Sequence, residues 1–318
     1  MRKRTLTLLI VLLVLIVIAA LMFIPWGSGE ETGPIEMPDR PMTTVEDMAG
    51  RKVEIPKDPR NILSMCTTVT DTLLRLGEGR RLGGIGVEST CIPATELAKV
   101  LGRGDEIARR QIEVTGIDLA FVWTDEKAAA KKLQDLGLPV LKVKYPRAEE
   151  VPDVVRFVAR TLGREEAAEK LLKRVEEFLK QAKSRHEPEE RPSVYLELKA
   201  EYATAGKNTY INDLINYADA RNIAASQEGF GPLEPEKIVE ADPDVILYVE
   251  EYKHYRAILQ RQELQGLKAL RKERISPVKR YWLVPGVGLP NAAASFRKAI
   301  TEPKKPKGYE DILRPQDL

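Results

Sequence analysis

The sequence predicts an α/β protein of two parallel-sheet lobes joined by one long rigid helix, with an apolar segment in front. Three observations carry this. Short apolar runs alternate with helical patterns over residues 61–143, and a second block of the same kind spans 193–284. Between them, apolar residues recur at three- and four-residue steps from about 148 to 185. Alternating strand and helix argue for a parallel sheet, because parallel neighbours need a crossover connection. A chain of 318 residues has room for both lobes.

Met1-Arg2-Lys3-Arg4 is a basic cluster followed by an uncharged apolar run from Leu8 to Trp26, close to the ~20 residues that cross a bilayer as a helix. Basic residues at its start place that end in the cytoplasm and the body outside. Residues 1–26 read as a signal anchor or a cleaved signal peptide, with Val17-Ile18-Ala19-Ala20 supplying small residues near a cut. The apolar continuation Leu21–Trp26 favours an uncleaved anchor. No cysteine follows the run, so lipid attachment is not expected there. Residues 27–42, rich in Gly, Pro and acid, read as a flexible spacer.

Residues 43–147 are expected to form the N-terminal lobe. It begins with a hairpin around Met48-Ala49-Gly50, continues with strands at Asn61–Met65, Leu82–Val87, Leu119–Trp123 and Val140–Val143, and has helices at 70–76, 93–101 and 126–136. Residues 148–190 form the inter-lobe helix, which Leu162-Gly163 could divide and which ends at Pro188 and Pro192. Residues 191–318 form the C-terminal lobe, with strands at Ser193–Leu198, Asp244–Val249 and Arg280–Val284 and a helix over Asn208–Tyr217. Each lobe is thus Rossmann-like.

Composition narrows function. Lys plus Arg number 50 against 48 acidic residues, so there is no basic footprint for nucleic acid. Gly83-Gly84-Ile85-Gly86 lacks the spacing of a dinucleotide or phosphate loop. No serine elbow or paired-histidine metal motif occurs, so no enzyme, resident metal or cofactor is expected.

The order of motifs resembles the helical-backbone, two-lobed periplasmic substrate-binding proteins of iron-siderophore, haem and cobalamin ABC importers. The resemblance covers about 43–300. It is carried by Val45–Pro56, by Asp58–Ser64 with Thr70–Gly77, by Gly116–Val122, and in the second half by Ala205–Leu214, Arg221–Ala224, Leu233–Val239 and Ala241–Leu247. The resemblance implies an extracytoplasmic monomer that captures a metal chelate between its lobes and delivers it to an ABC permease and its ATPase. It also implies an exposed glutamate on each lobe that meets arginines of the permease. Glu236 matches the second; the first falls on Arg110, a reversed charge, unless a gap brings Glu106 or Glu113 into place. Arg110 and the anchor motivate an alternative, a membrane-anchored sensor or scaffold without transport. A tetrapyrrole chelatase is a third reading.

In open parallel sheets, ligands bind beyond the carboxyl ends of the strands. That rule selects Met65, Cys66 and Thr67 after the first strand, Glu88 and Cys91 after the second, Trp123 after the third, and Tyr145 and Arg147 after the fourth. From the second lobe it selects Tyr202, Tyr252, His254 and Tyr255. Trp123 could stack on a flat ligand or simply fill the core. Arg147 could pair with a carboxylate, and Tyr252, His254 and Tyr255 carry groups able to ligate haem iron. Cys66 and Cys91 could form a disulfide outside the membrane, be buried hydrophobes, or touch a ligand's metal.

Overall fold

The computed structural model describes residues 33–36, 39–95, 98–182, 186–187, 189–198, 202–252 and 255–304. The expected anchor (1–26), half of the spacer (27–42) and the end of the C-terminal tail lie outside these residues. Among the described residues no helix is long and apolar enough to cross a membrane. The described residues from Ile35 onward form one compact unit.

The unit opens with the expected hairpin, β1 (Met42–Glu46) against antiparallel β2 (Lys52–Pro56). Asp47, buried at the turn, organises it. Its carboxylate accepts from the backbone N–H groups of Ala49 and Arg51 at 3.0 and 2.9 Å, and from Lys142 N at 3.0 Å, which ties the hairpin to the first sheet. Burial pushes the Asp47 carboxyl up, but these bonds and the Arg51 guanidinium hold it below the usual carboxylate range.

The first sheet contains β3 (Ile62–Ser64), β4 (Leu82–Gly86), β5 (Val100–Gly102), β6 (Leu119–Trp123) and β7 (Val140–Val143), all parallel in the order β5-β4-β3-β6-β7. Helices α1 (Thr67–Arg75), α2 (Arg109–Thr115) and α3 (Lys127–Asp135) connect the strands. β6 is buried along its whole length, as expected for a strand covered on both faces. β4 is rich in glycine because its neighbours come close: a Cβ on Gly84 would lie 2.7 Å from a methyl of Leu101. The described part of 93–101 holds no helix; its chain instead enters the short edge strand β5.

The single long helix is corrected to two, α4 (Val151–Thr161) and α5 (Glu165–Gln181). Gly163 adopts φ +63°, and Arg164 N bonds back to Ala159 O at 2.8 Å, so a left-handed C-terminal turn ends α4. Arg156 of α4 holds Glu169 and Glu176 of α5 at 2.7 and 2.6 Å. α4 is buried on two sides. Val154, Phe157 and Val158 pack into the core of the first sheet, while Val151, Val155 and Ala159 pack into that of the second.

The second sheet is also parallel, in the order β10-β8-β12-β13: β8 (Ser193–Glu197), β10 (Arg221–Asn222), β12 (Val245–Val249) and β13 (Ile275–Val278). A small antiparallel pair, β9 (Ala203–Ala205) with β11 (Phe230–Pro232), projects from it. Helices α6 (Tyr210–Tyr217), α7 (Pro235–Ala241), α8 (Tyr255–Gln260), α9 (Lys268–Arg271) and α10 (Leu289–Thr301) complete this half. The last strand is β13, not Arg280–Val284; residues Arg280–Leu283 make a single 3-10 turn. Pro277 lies in β13, an edge strand, where a missing N–H is tolerated.

Both halves brace their strands in the same way. Asp118, just before β6, accepts from the N–H groups of Arg60 and Asn61 at 2.8 and 3.0 Å; Asp244, just before β12, accepts from Ser193 N at 2.9 Å.

Candidate functional site

The strands of the first sheet end side by side, and the turns after them enclose a recess of about 330 Å³. Met65, after β3, forms its floor. The turn Gly86–Glu88 follows β4, Gly102–Asp105 follows β5, and Asp125 and Glu126 follow β6. Glycine at 86 and 104 keeps the floor open: a Cβ would come within 2.9 Å of the Met65 methyl at Gly86 and 2.6 Å of Ala129 at Gly104. Burial raises the Glu126 carboxyl, and Asp125 pushes it the same way.

A file of aromatic rings links the two halves. Trp123, at the end of β6, meets Tyr145 edge-on with ring centres 5.2 Å apart. Tyr145 then meets Phe230 of β11 at 5.8 Å, crossing from the first half to the second. Trp123 and Tyr145 are partly or wholly covered, whereas Phe230 is 52% exposed. Phe230 is absent from the sequence-derived candidates, because a phenylalanine between glycines reads only as part of a turn.

A polar contact crosses at the same edge. The Arg280 guanidinium donates to Glu88 O at 2.9 Å and to the Glu88 carboxylate. Arg280 N donates to the Glu251 carboxylate at 3.0 and 3.1 Å, and the guanidinium lies 5.8 Å from the Tyr252 ring. Cys91 sits at this contact, its thiol 3.4 Å from Glu88 O; burial pushes the thiol up and the Arg280 charge opposes that. Arg280, too, is missing from the sequence-derived candidates.

Met65 and Glu88 thus share the recess, Trp123 and Tyr145 follow the strand ends of β6 and β7 as a packed pair, Cys91 and Tyr252 lie by Arg280, and Cys66 and Thr67 stand at the start of α1. The structure separates others. Cys66 is wholly buried in the first core and Cys91 only half-buried; both are free thiols, so the disulfide reading is corrected. Arg147 grips Asp213 through two hydrogen bonds, so part of its guanidinium is engaged within the protein. Tyr202, at φ +63°, lies under the Arg261 guanidinium at 4.1 Å and donates to Glu263. Arg261 in turn holds the fully buried Glu197. Tyr255 leans on Tyr248 with ring centres 5.5 Å apart. Tyr202 and Tyr255 therefore pack within the second half. His254 lies outside the described residues. Arg110 and Glu236 are both exposed, each near the start of its helix, α2 and α7. Among the described residues no cluster of His, Cys, Asp and Glu could hold a metal ion.

Two parallel α/β halves that share a helical wall and meet along one edge of side chains define a two-lobed binding protein rather than a single-sheet nucleotide fold. The chain belongs to the periplasmic binding protein family, whose description matches residues 118–279, half of the sequence. It is 28% identical over 247 residues to YvrC of Bacillus subtilis, an uncharacterized ABC transporter substrate-binding lipoprotein, covering 74% of this chain and 77% of that one. It is 25% identical to a cobalamin-binding protein of Halobacterium salinarum, over 74% of this chain and 67% of that protein. Among solved structures, the molybdate-binding periplasmic protein MolA of Haemophilus influenzae superposes with a TM-score of 0.71 at 18% identity, over 81% of this chain and 91% of that one.

Proposed function

We propose that this protein is an extracytoplasmic solute-binding protein that captures a metal chelate between its halves and passes it to an ABC permease and its ATPase. The observation that carries the proposal is Phe230 of the second half, half exposed and met edge-on by Tyr145 of the first, because an exposed aromatic ring where the halves meet suits a flat, conjugated chelate more than a small ion. The cobalamin-binding name of the Halobacterium relative supports that class, and the transporter name of the Bacillus relative supports delivery. MolA shows that the fold also serves an oxyanion, so the site and not the fold carries the argument. In this reading the segment 1–26 tethers a monomer to the outer face of the membrane, and Glu236 and Arg110 face the permease.

The test is a titration of the full chain in lipid nanodiscs with a corrinoid, haemin and a ferric hydroxamate, read by tryptophan fluorescence and ligand absorbance. At least one is expected to saturate at low micromolar concentration or tighter, and Phe230→Ala weakens it about tenfold, the loss of one aromatic contact. Absence of binding by all three ligands refutes the proposal. The exposed, reversed charge at Arg110 favours the second reading, a membrane-anchored sensor or scaffold. Co-purification of the chain with permease subunits would exclude it.

A further inference from the structure

We infer that Arg280 and Tyr281 form a two-point strap between the halves. Tyr281 is a buried pivot on α1, and Arg280 is a clasp on the exposed Glu88 that lets the edge beside β4 open and close. The inference concerns the protein without ligand, so it holds whether or not a metal chelate binds between the halves.

Both residues lie in the turn after β13. Arg280 N donates to the Glu251 carboxylate at 3.0 and 3.1 Å, which fixes the turn to its own half. From there two neighbouring side chains reach the first half. The Tyr281 hydroxyl donates to Asp71 at 3.1 Å and accepts from Arg75, while Arg75 Nε donates to both Asp71 oxygens at 2.9 Å. Asp71 is only 3% exposed, and Gly286 closes over its carboxylate. Separating a buried carboxylate from its partners is costly, so this contact stays made. The Arg280 contact is of another kind. The guanidinium is largely covered, but the Glu88 side chain is 59% exposed, and of the turn Val87–Cys91 that carries it only Ser89 is buried. Exposed ion pairs are weak and screened by salt. Arg280 therefore leaves Glu88 far more readily than Tyr281 leaves Asp71. The remaining crossings, Tyr145 on Phe230 and Arg147 on Asp213, follow β7, three strands along the first sheet from β4. Release of the clasp thus frees the edge at β4 while the pivot and the β7 edge hold, which is a hinge motion about Tyr281. A molecule entering between the halves from the β4 side has to pass this clasp.

The experiment is double electron–electron resonance on the full chain in lipid nanodiscs, with no ligand added. Spin labels are placed at Lys99→Cys and Arg256→Cys, exposed positions on the first and second half, after Cys66→Ala and Cys91→Ser remove the native thiols. One dominant distance is expected at low salt. In Arg280→Ala a second distance, longer by about 2 Å or more, grows at least severalfold. High salt enlarges the same population in the parent but not in Arg280→Ala, because only the parent has an ion pair to screen. Tyr281→Phe, by contrast, lowers the melting temperature and leaves the salt response in place. Unchanged distances in Arg280→Ala overturn the inference, as does a salt response that survives that substitution. If Arg280→Ala loses the far-UV circular dichroism of the parent, Glu88→Ala takes its place with the same expected outcome. No binding measurement enters, so failure here is distinct from failure of the metal-chelate proposal.

Discussion

Arg147 and Asp213 are joined by two parallel hydrogen bonds, Nε to Oδ2 at 3.1 Å and Nη2 to Oδ1 at 2.7 Å. The same carboxylate accepts from Ala148 N at 3.1 Å, so one buried side chain of α6 fixes the point where the chain leaves the first sheet for α4. Asp213→Ala leaves Ala148 N and the guanidinium without their acceptor and should destabilise the protein by about 2 kcal/mol, the usual scale for hydrogen bonds to a charged group. Urea denaturation measures this as a lower midpoint at unchanged slope. Asp213→Asn, which keeps an acceptor oxygen, should lose less.

Gly286 touches the other side of the junction. A Cβ there would lie 2.6 Å from Asp71 Oδ2, and Asp71 is buried and held by Arg75 at 2.9 Å and Tyr281 at 3.1 Å. Gly286→Ala therefore has to displace a carboxylate that has nowhere to go, at a cost of about 1–3 kcal/mol. Calorimetry should show a lower melting temperature. Combining it with Asp71→Ala should cost less than the sum of the two single changes, because the clash disappears with the carboxylate.

Asp47 makes the fold acid-sensitive. Its folded carboxyl titrates below the usual range, so its contribution to stability is complete above the unfolded value near 3.9 and is lost as pH falls through the lower folded value. Unfolding followed by circular dichroism between about pH 6 and pH 2 should show the wild type losing this contribution. Asp47→Asn should start less stable at pH 6 and lose less on acidification. Equal pH slopes in the two proteins would contradict the assignment.

Tyr210 is wholly buried, and its hydroxyl has no hydrogen-bond partner among the described residues. Burial pushes the phenol well above its ordinary value. A desolvated hydroxyl without a partner costs folding free energy that phenylalanine avoids, so Tyr210→Phe should be neutral or stabilise by about 1 kcal/mol. A clear loss of stability would indicate that this hydroxyl has a hydrogen-bond partner in solution.

The central strands were readable because a strand buried on both faces appears as an unbroken apolar run, as in Leu119–Trp123 and Val245–Val249. The edge strands were not. Val100–Gly102 is short and half exposed, and Ile275–Val278 carries Pro277, so neither presents that signal. Gly163 hinted at a break in the long helix, but only its left-handed backbone decides the matter. The site was half readable. The rule of strand ends leads to the recess-lining Met65 and Glu88, since those positions follow from local order, whereas Trp123 sits in the core. It cannot find Arg280, which reaches Glu88 from 192 residues away, or Phe230, which meets Tyr145 only after both halves have folded. Nor does a sequence show which partner a guanidinium has, as with Arg147 on Asp213.

The double burial of α4 has one further consequence. Because Val154, Phe157 and Val158 belong to one core and Val151, Val155 and Ala159 to the other, neither half possesses a complete interior alone. A fragment ending near residue 147 would lack a wall, and one beginning there would display an oily stripe in need of a partner. The halves therefore cannot be exchanged like interchangeable modules; they must melt, mutate and be inherited together.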